Sequence, residues 1–187
     1  ESLDSEIGAW DWPLLTQEFQ RLELRGEVRR GYFVQDLPGV QFALPEVVER
    51  LRAIEGATQT AADDEPLVVM NACDPANLYG PAATVGPQTS AGEPLAFARI
   101  PSTWLVLHRG LPVLLLEDTG VQLTTVQGAD EGLVRRAIQT GITHLATFEH
   151  RVTVTHWNGL SVLNSPGQPL LESVGFYRDY PGMTFSS

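Results

Sequence analysis

Lysine is absent from this 187-residue chain. All twelve basic residues are arginine, set against 23 Asp and Glu for a formal net charge of −11. A sequence-blind polyanion binder would be basic overall, so the net charge argues against that class; it does not exclude a local basic strip on an acidic body. Codon bias explains the missing lysine, and arginine alone still grips phosphate through bidentate forks. The single cysteine, Cys73, excludes an internal disulfide and fits a reducing cytosol. No apolar run approaches the roughly 18 residues that cross a membrane. The opening ESLDSEIGAW is acidic and lacks the apolar stretch of a signal peptide; without an initiating methionine it fits an excised segment. Neither GxxxxGK[ST] nor GxGxxG occurs, so no nucleotide is expected in the usual way. His108, His144, His150 and His156 have no zinc-like spacing, so no metal is expected.

At 43% apolar and 19% charged residues, the chain can bury a core. Residues 11–26, DWPLLTQEFQRLELRG, predict a helix with Asp11 as N-cap, Pro13 in the first turn and Gly26 just past the end. Leu14, Leu15, Phe19 and Leu22 form its apolar stripe. Residues 29–45, RRGYFVQDLPGVQFALP, outline a basic-edged hairpin turning at QDLPG. A second helix starts at Pro45 with Val47, Val48, Leu51 and Ile54 inward. Helix, hairpin, helix is the back half of a winged helix.

The polar, acidic stretch at residues 57–65 reads as a linker. Beyond it PLVVMN, LAFARI, TWLVLHR, PVLLLE and VQLTTV predict strands, with RGLP as a tight hairpin. The Gly/Pro-rich loop at residues 78–94 is long enough to be functional or mobile. A third helix is expected from Asp130 to Gly141, a hairpin at RVTVTHWNGLSVL around Asn158-Gly159, a short helix at QPLLESVGF and a last extended piece, GMTFSS. The expected fold is therefore α+β: a partial winged helix at residues 1–57 and a mostly antiparallel β domain with a few helices at residues 66–187.

Chemistry is concentrated in few places. Arg29 and Arg30 at the hairpin edge are candidates to contact backbone phosphate; the alternative is a solvated pair balanced by Glu27 and Asp36. The first helix exposes mixed charge, which suits a major groove poorly. NACDPANLYG, residues 71–80, follows an apolar strand, where site residues often sit. Asp74 there could serve as a general base; the alternative is an Asx turn built by Asp74 and Asn77 around Pro75. Cys73 lacks a histidine partner for nucleophilic work. Of Trp10, Trp12, Trp104 and Trp157, the last, beside an Asn-Gly turn, is the one expected to be exposed.

The run GEVRRGYFVQDLPGVQFALPEVVERLR, followed by ACDPANLYG, resembles the C-terminal region of the large helicase-related (Lhr) DEAD/DEAH-box, ATP-dependent DNA helicases. ARIPSTWLVLHRGLPVLLLED, VTVTHWNGLSVLNSP and LLESVGFYRDYPGMTF extend the likeness over nearly the whole chain. The family's C-terminal extension of winged helices and a β-barrel-like module is similar to AlkZ-like DNA glycosylases, so the resemblance implies that the domain at residues 66–187 is β-barrel-like. The ending MTFSS departs from the family's basic final strand, and Trp104 comes later than the family's tryptophan.

The resemblance implies a DNA-repair accessory module, cytoplasmic and nucleoid-associated, that binds single-stranded or forked DNA or scaffolds the rest of the helicase chain. ATP and Mg are implied for the absent motor, and no cofactor for this segment. Whether the module is itself enzymatic stays open. Arg25, Arg29, Arg30, Arg99, Arg109, Arg135 and Arg136 are the nucleic-acid candidates. Asp74, Pro75, Asn77, Tyr79 and Gly80 form the family-like motif. One alternative is a glycosylase-type base-excision module with Asp74 or Asp179 assisting hydrolysis. Another is a protein-interaction module, for which a large apolar patch without a basic strip would speak.

Overall fold

The computed structural model of the chain describes residues 12–34, 39–58, 65–80 and 86–186. Trp10, Asp11, Asp36 and most of the QDLPG turn lie outside them, as do residues 59–64 and 81–85. The chain is a mixed α+β protein that divides into two compact units, Glu1–Asp64 and Glu65–Ser187.

In the first unit α1 spans Trp12–Leu24. Gly26, at φ 77, ends it as expected. The Glu27 amide reaches back to the Leu22 carbonyl at 2.9 Å and the Gly26 amide to Glu23 at 3.0 Å, the paired bonds of a Schellman cap. Only a glycine enters that left-handed position without steric penalty. The hairpin strands β1 (Arg29–Gly31) and β2 (Gln41–Ala43) are antiparallel, with Arg29 opposite Ala43 and Arg30 opposite Phe42. Phe42 stacks on Phe19 of α1, ring centres 4.9 Å apart. The Gln41 side chain accepts the Phe33 and Val34 amides at 2.7 and 2.8 Å and donates to the Val34 carbonyl, so it continues the ladder beyond the short strands.

Helix α2 covers Pro45–Thr58. Val48 is buried, whereas Val47, Leu51 and Ile54, expected inward, are exposed. Leu14 of α1 is exposed as well. The reason is geometric: two helices on a two-stranded ribbon enclose one narrow core, built on Val28 and Val48, and an apolar stripe wider than that core faces outward.

The second unit holds two sheets. The larger has six strands in the order β3-β4-β5-β6-β8-β9: Val68–Asn71, Trp104–His108, Leu111–Glu117, Gln122–Thr125, His156–Trp157 and Leu160–Ser161. All its pairs are antiparallel except β6 with β8. The smaller has the order β10-β11-β7: Tyr177–Asp179, Gly182–Ser186 and Arg151–Val154. The two edge strands of the larger sheet, β3 and β9, do not pair with each other. Among the described residues, then, no sheet closes, and the barrel-like architecture expected for this domain is an open α+β arrangement instead.

Both faces of the large sheet are covered, which explains the near-continuous apolar runs of β4 and β5. Val106, Leu114 and Leu116 join a core with Val134, Ile138 and Ile142 of α3 (Glu131–Leu145). Leu105, Leu107 and Leu115 face the other way, against Leu95 and Phe97. Residues 95–100 read as a strand in sequence because they alternate; here they join no ladder strand and supply buried Leu95 and Phe97 to that second face.

Asp130 caps α3 through its carboxylate and the Leu133 amide, 2.8 Å apart. The helix does not stop at Gly141, as expected, but runs on to Leu145. Gly141 is buried where a Cβ would lie 3.1 Å from Val106 and 3.2 Å from Leu116. It lets the helix approach the sheet rather than ending it. The hairpin turns at Arg109-Gly110 and Asn158-Gly159 both have the two positive φ values of a type I′ turn. The chain around the second is divided, however: β7 joins the small sheet, while β8 and β9 extend the large one. Trp157, expected to be exposed, is 5% exposed. It is covered by the start of α4 (Gly167–Ser173), where a Cβ on Gly167 would lie 2.1 Å from the indole.

Replacing Gly167 by alanine must displace Trp157 and is expected to cost about 3 kcal/mol, the upper end of overpacking. Gly128→Ala, at φ 89 in open space, meets only backbone strain of about 1 kcal/mol. Denaturant melts of the two variants check the order; equal losses would contradict this packing.

Candidate nucleic-acid interface

Successive side chains of a strand point to opposite faces. Arg29 and Arg30, neighbours in sequence, therefore separate. Arg30 turns toward α1, where its Nε lies 3.3 Å from Glu23. Arg29 turns toward α2, where its Nη1 lies 3.3 Å from Glu49. Arg52, one turn along α2, reaches the same Glu49 oxygen at 3.3 Å. The Arg29, Arg30 and Arg52 side chains are 48%, 55% and 63% exposed, so these pairs lie in water and not in a buried network. Exposed pairs of this kind contribute roughly 0–1 kcal/mol each. Arg25 is paired with Glu27 at 2.5 Å beside the helix cap. Arg52 was not among the residues that sequence pattern singled out. An i,i+3 Glu-Arg pair looks like ordinary helix-surface charge, and only the fold brings it to Arg29.

The candidates of the second unit have other partners. Arg99 donates through Nη2 to the carbonyls of Asn77, at 2.6 Å, and Tyr79, at 3.0 Å. Arg109 pairs with the Glu65 carboxylate at 2.9 Å, and Arg136 donates to the Glu65 carbonyl at 2.8 Å. Residues far apart in sequence thus hold the start of this unit in place. Arg135 pairs with Glu131 one turn earlier on α3, at 2.9 Å.

Residues 71–80 form a chain of side chain to backbone turns. Asn71 Oδ1 accepts the Cys73 amide, Asp74 Oδ1 the Ala76 amide at 2.8 Å and Asn77 Oδ1 the Tyr79 amide at 2.9 Å. Asn77 is 3% exposed and also donates to the Ala72 carbonyl at 2.9 Å. The Tyr79 hydroxyl donates to the Gly110 carbonyl at 2.6 Å, and burial raises its pKa above the usual phenol value. Gly80, at φ 129, lies against Arg99. Asp74 itself is exposed. Asp179 binds Arg151 and accepts the Thr184 hydroxyl at 3.1 Å.

Glu117 is a titratable group that sequence reading passed over. Burial raises its carboxyl pKa, the Gln122 amide lowers it, and neighbouring Asp118 raises it again. Cys73 is exposed, and no cluster able to hold a metal is found among the described residues. Trp104 packs edge-on against His144 and is stacked with Phe148.

A winged-helix module at the N-terminus, joined to an open α+β unit held by arginine-to-backbone ties, defines the class. Residues 1–63 match the family model described as the large helicase-related protein, winged-helix domain. The chain is 33% identical over 141 residues to the Lhr helicase/probable uracil glycosylase of Mycolicibacterium smegmatis, covering 74% of the chain and 9% of that protein. It is 29% identical over 174 residues to the Lhr helicase/uracil glycosylase of Escherichia coli, covering 92% of the chain and 11% of that protein. The chain thus spans about a tenth of the length of the curated relatives it matches. These matches support a C-terminal Lhr-like region.

The turn network predicts an order of stability losses. Asn77→Ala leaves buried amide and carbonyl groups unpaired and is expected to cost about 2 kcal/mol. Asp74→Ala removes one exposed turn bond and is expected to cost under about 1 kcal/mol. Chemical denaturation monitored by circular dichroism checks this; a larger loss for Asp74 would point to a role beyond the turn.

Proposed function

We propose that this chain is an accessory module of an ATP-dependent DNA helicase acting in DNA repair, and that its hairpin contacts the DNA backbone through Arg29. The observation that supports it most is an exposed arginine on the ribbon edge, beside a second arginine from α2. Such a site grips phosphate without reading bases. Single-stranded or forked DNA is the substrate class that suits a helicase accessory. ATP and Mg belong to the motor of the parent chain, and the nucleoid is where such a protein would work. Arg30 lies on the other face of the ribbon with Glu23, and Arg25 pairs with Glu27 beside the α1 cap. Arg99, Arg109 and Arg136 serve the fold instead, since each would have to leave a structural partner to reach phosphate.

A second reading, scaffolding of the rest of the helicase chain, draws on the exposed apolar side chains of Leu44, just before α2, and of Val47 and Leu51 on it. The glycosylase reading draws only on the names of the relatives, as Asp74 and Asp179 are engaged elsewhere.

Fluorescence anisotropy with single-stranded, duplex and forked DNA at two salt concentrations tests the proposal. Salt-sensitive binding is expected, with the slope against log salt reduced by about one in Arg29→Ala. Arg99→Ala should lower thermal stability more than affinity. Absence of binding at low salt would leave scaffolding as the function.

A further inference from the structure

We propose that Arg52 is the second arm of the phosphate site at Arg29, and that Glu49 is a built-in competitor that occupies the site until a nucleic-acid phosphate displaces it. The inference rests on the reading of Arg29 as a phosphate contact and adds a ligand and a control to it.

One carboxylate oxygen serves two guanidinium groups. Glu49 Oε1 lies 3.3 Å from Nη1 of Arg29 and 3.3 Å from Nη1 of Arg52. Two positive charges against one negative leave a net positive spot on an otherwise acidic chain. Both contacts are single-oxygen and long for a charge-assisted bond, so neither guanidinium is engaged fork to fork. A phosphodiester has two unbridged oxygens sharing one negative charge, and it can give one to each arginine. The Glu49 carboxylate therefore stands where a phosphate oxygen would bind. All three side chains are about half exposed or more, so Glu49 can swing into water without leaving a buried charge behind.

Strand alternation sets the limits of the site. Arg30 is directed to Glu23 of α1, on the other face of the ribbon, and lies outside it. The arms are one residue from β1 and one from α2; buried Val28 adjoins Arg29 in sequence, and buried Val48 adjoins Glu49.

The test is DNA binding by the whole chain and four variants, Arg29→Ala, Arg52→Ala, Glu49→Gln and Glu49→Gln/Arg52→Ala, each first checked by thermal melting. Glu49→Gln should tighten binding roughly fivefold at low salt, the effect of one unit charge at contact distance in water. Arg52→Ala should weaken binding as Arg29→Ala does. The gain from Glu49→Gln should shrink in the Arg52→Ala background, since contacting residues are not additive. Glu49→Ala serves should Glu49→Gln melt early. If Arg29→Ala weakens binding while Glu49→Gln and Arg52→Ala leave it unchanged, the competitor and the second arm are wrong and the hairpin contact stands. If neither the parent chain nor Glu49→Gln binds DNA at low salt, the hairpin contact falls, and this site with it. Inorganic phosphate at the same ionic strength provides a further arm: competition as strong as that of a DNA strand would assign the site to free phosphate.

Discussion

Twelve arginines share this chain with 23 carboxylates, and that imbalance governs what each guanidinium can do. An arginine in such a protein meets a carboxylate or a backbone carbonyl before it meets any ligand. For three arginines of the second unit the meeting is structural. Arg99 ties the turn at residues 77–79, while Arg109 and Arg136 hold Glu65 at the start of the unit. In the first unit the pairs are exposed and shared, as at Glu49, and so are exchangeable. The same residue type thus has two physical roles, separated by whether its partner belongs to the backbone of the fold or to the solvated surface.

The first unit shows how little core a hairpin and two helices need when a cap and a stacked aromatic pair set their geometry. Gly26 turns the chain out of α1, Phe42 returns the ribbon to Phe19, and Gln41 extends the ladder past strands of three residues. What this narrow core leaves uncovered, the outer apolar residues of α2, is a surface suited to further packing. The second unit is more conventional. An apolar sheet with both faces covered supports a turn cluster at one end, where Asn77 and Tyr79 place hydrogen bonds that a mere loop would give to water.

Features with local causes were legible in the sequence: the Gly26 stop, the Asp130 cap, the Asn158-Gly159 turn and the Pro45 start of α2 all follow from residues within a few positions. Features set by distant packing were not. Gly141 carries the signal of a helix end, yet the sheet residues Val106 and Leu116 require a glycine there and the helix continues. Trp157 sits beside a surface turn, yet Gly167, ten residues on, lets α4 cover it. Residues 95–100 alternate like a strand because Leu95 and Phe97 are buried on one side, although no neighbouring strand pairs with them. At the candidate site Arg29 was legible from its place on the hairpin edge. Its divergence from Arg30 and its meeting with Arg52 at Glu49 depend on register and on the approach of α2.

The division of arginines into structural and exchangeable sets can be observed directly. With twelve arginines and no lysine, the side-chain Nε–Hε region of a proton–nitrogen NMR spectrum is sparse enough to follow residue by residue during titration with forked DNA. The account predicts that the signals of Arg29 and Arg52 move while those of Arg99, Arg109 and Arg136 stay fixed. Movement of the latter three with Arg29 and Arg52 unmoved, or no movement of any, would contradict it.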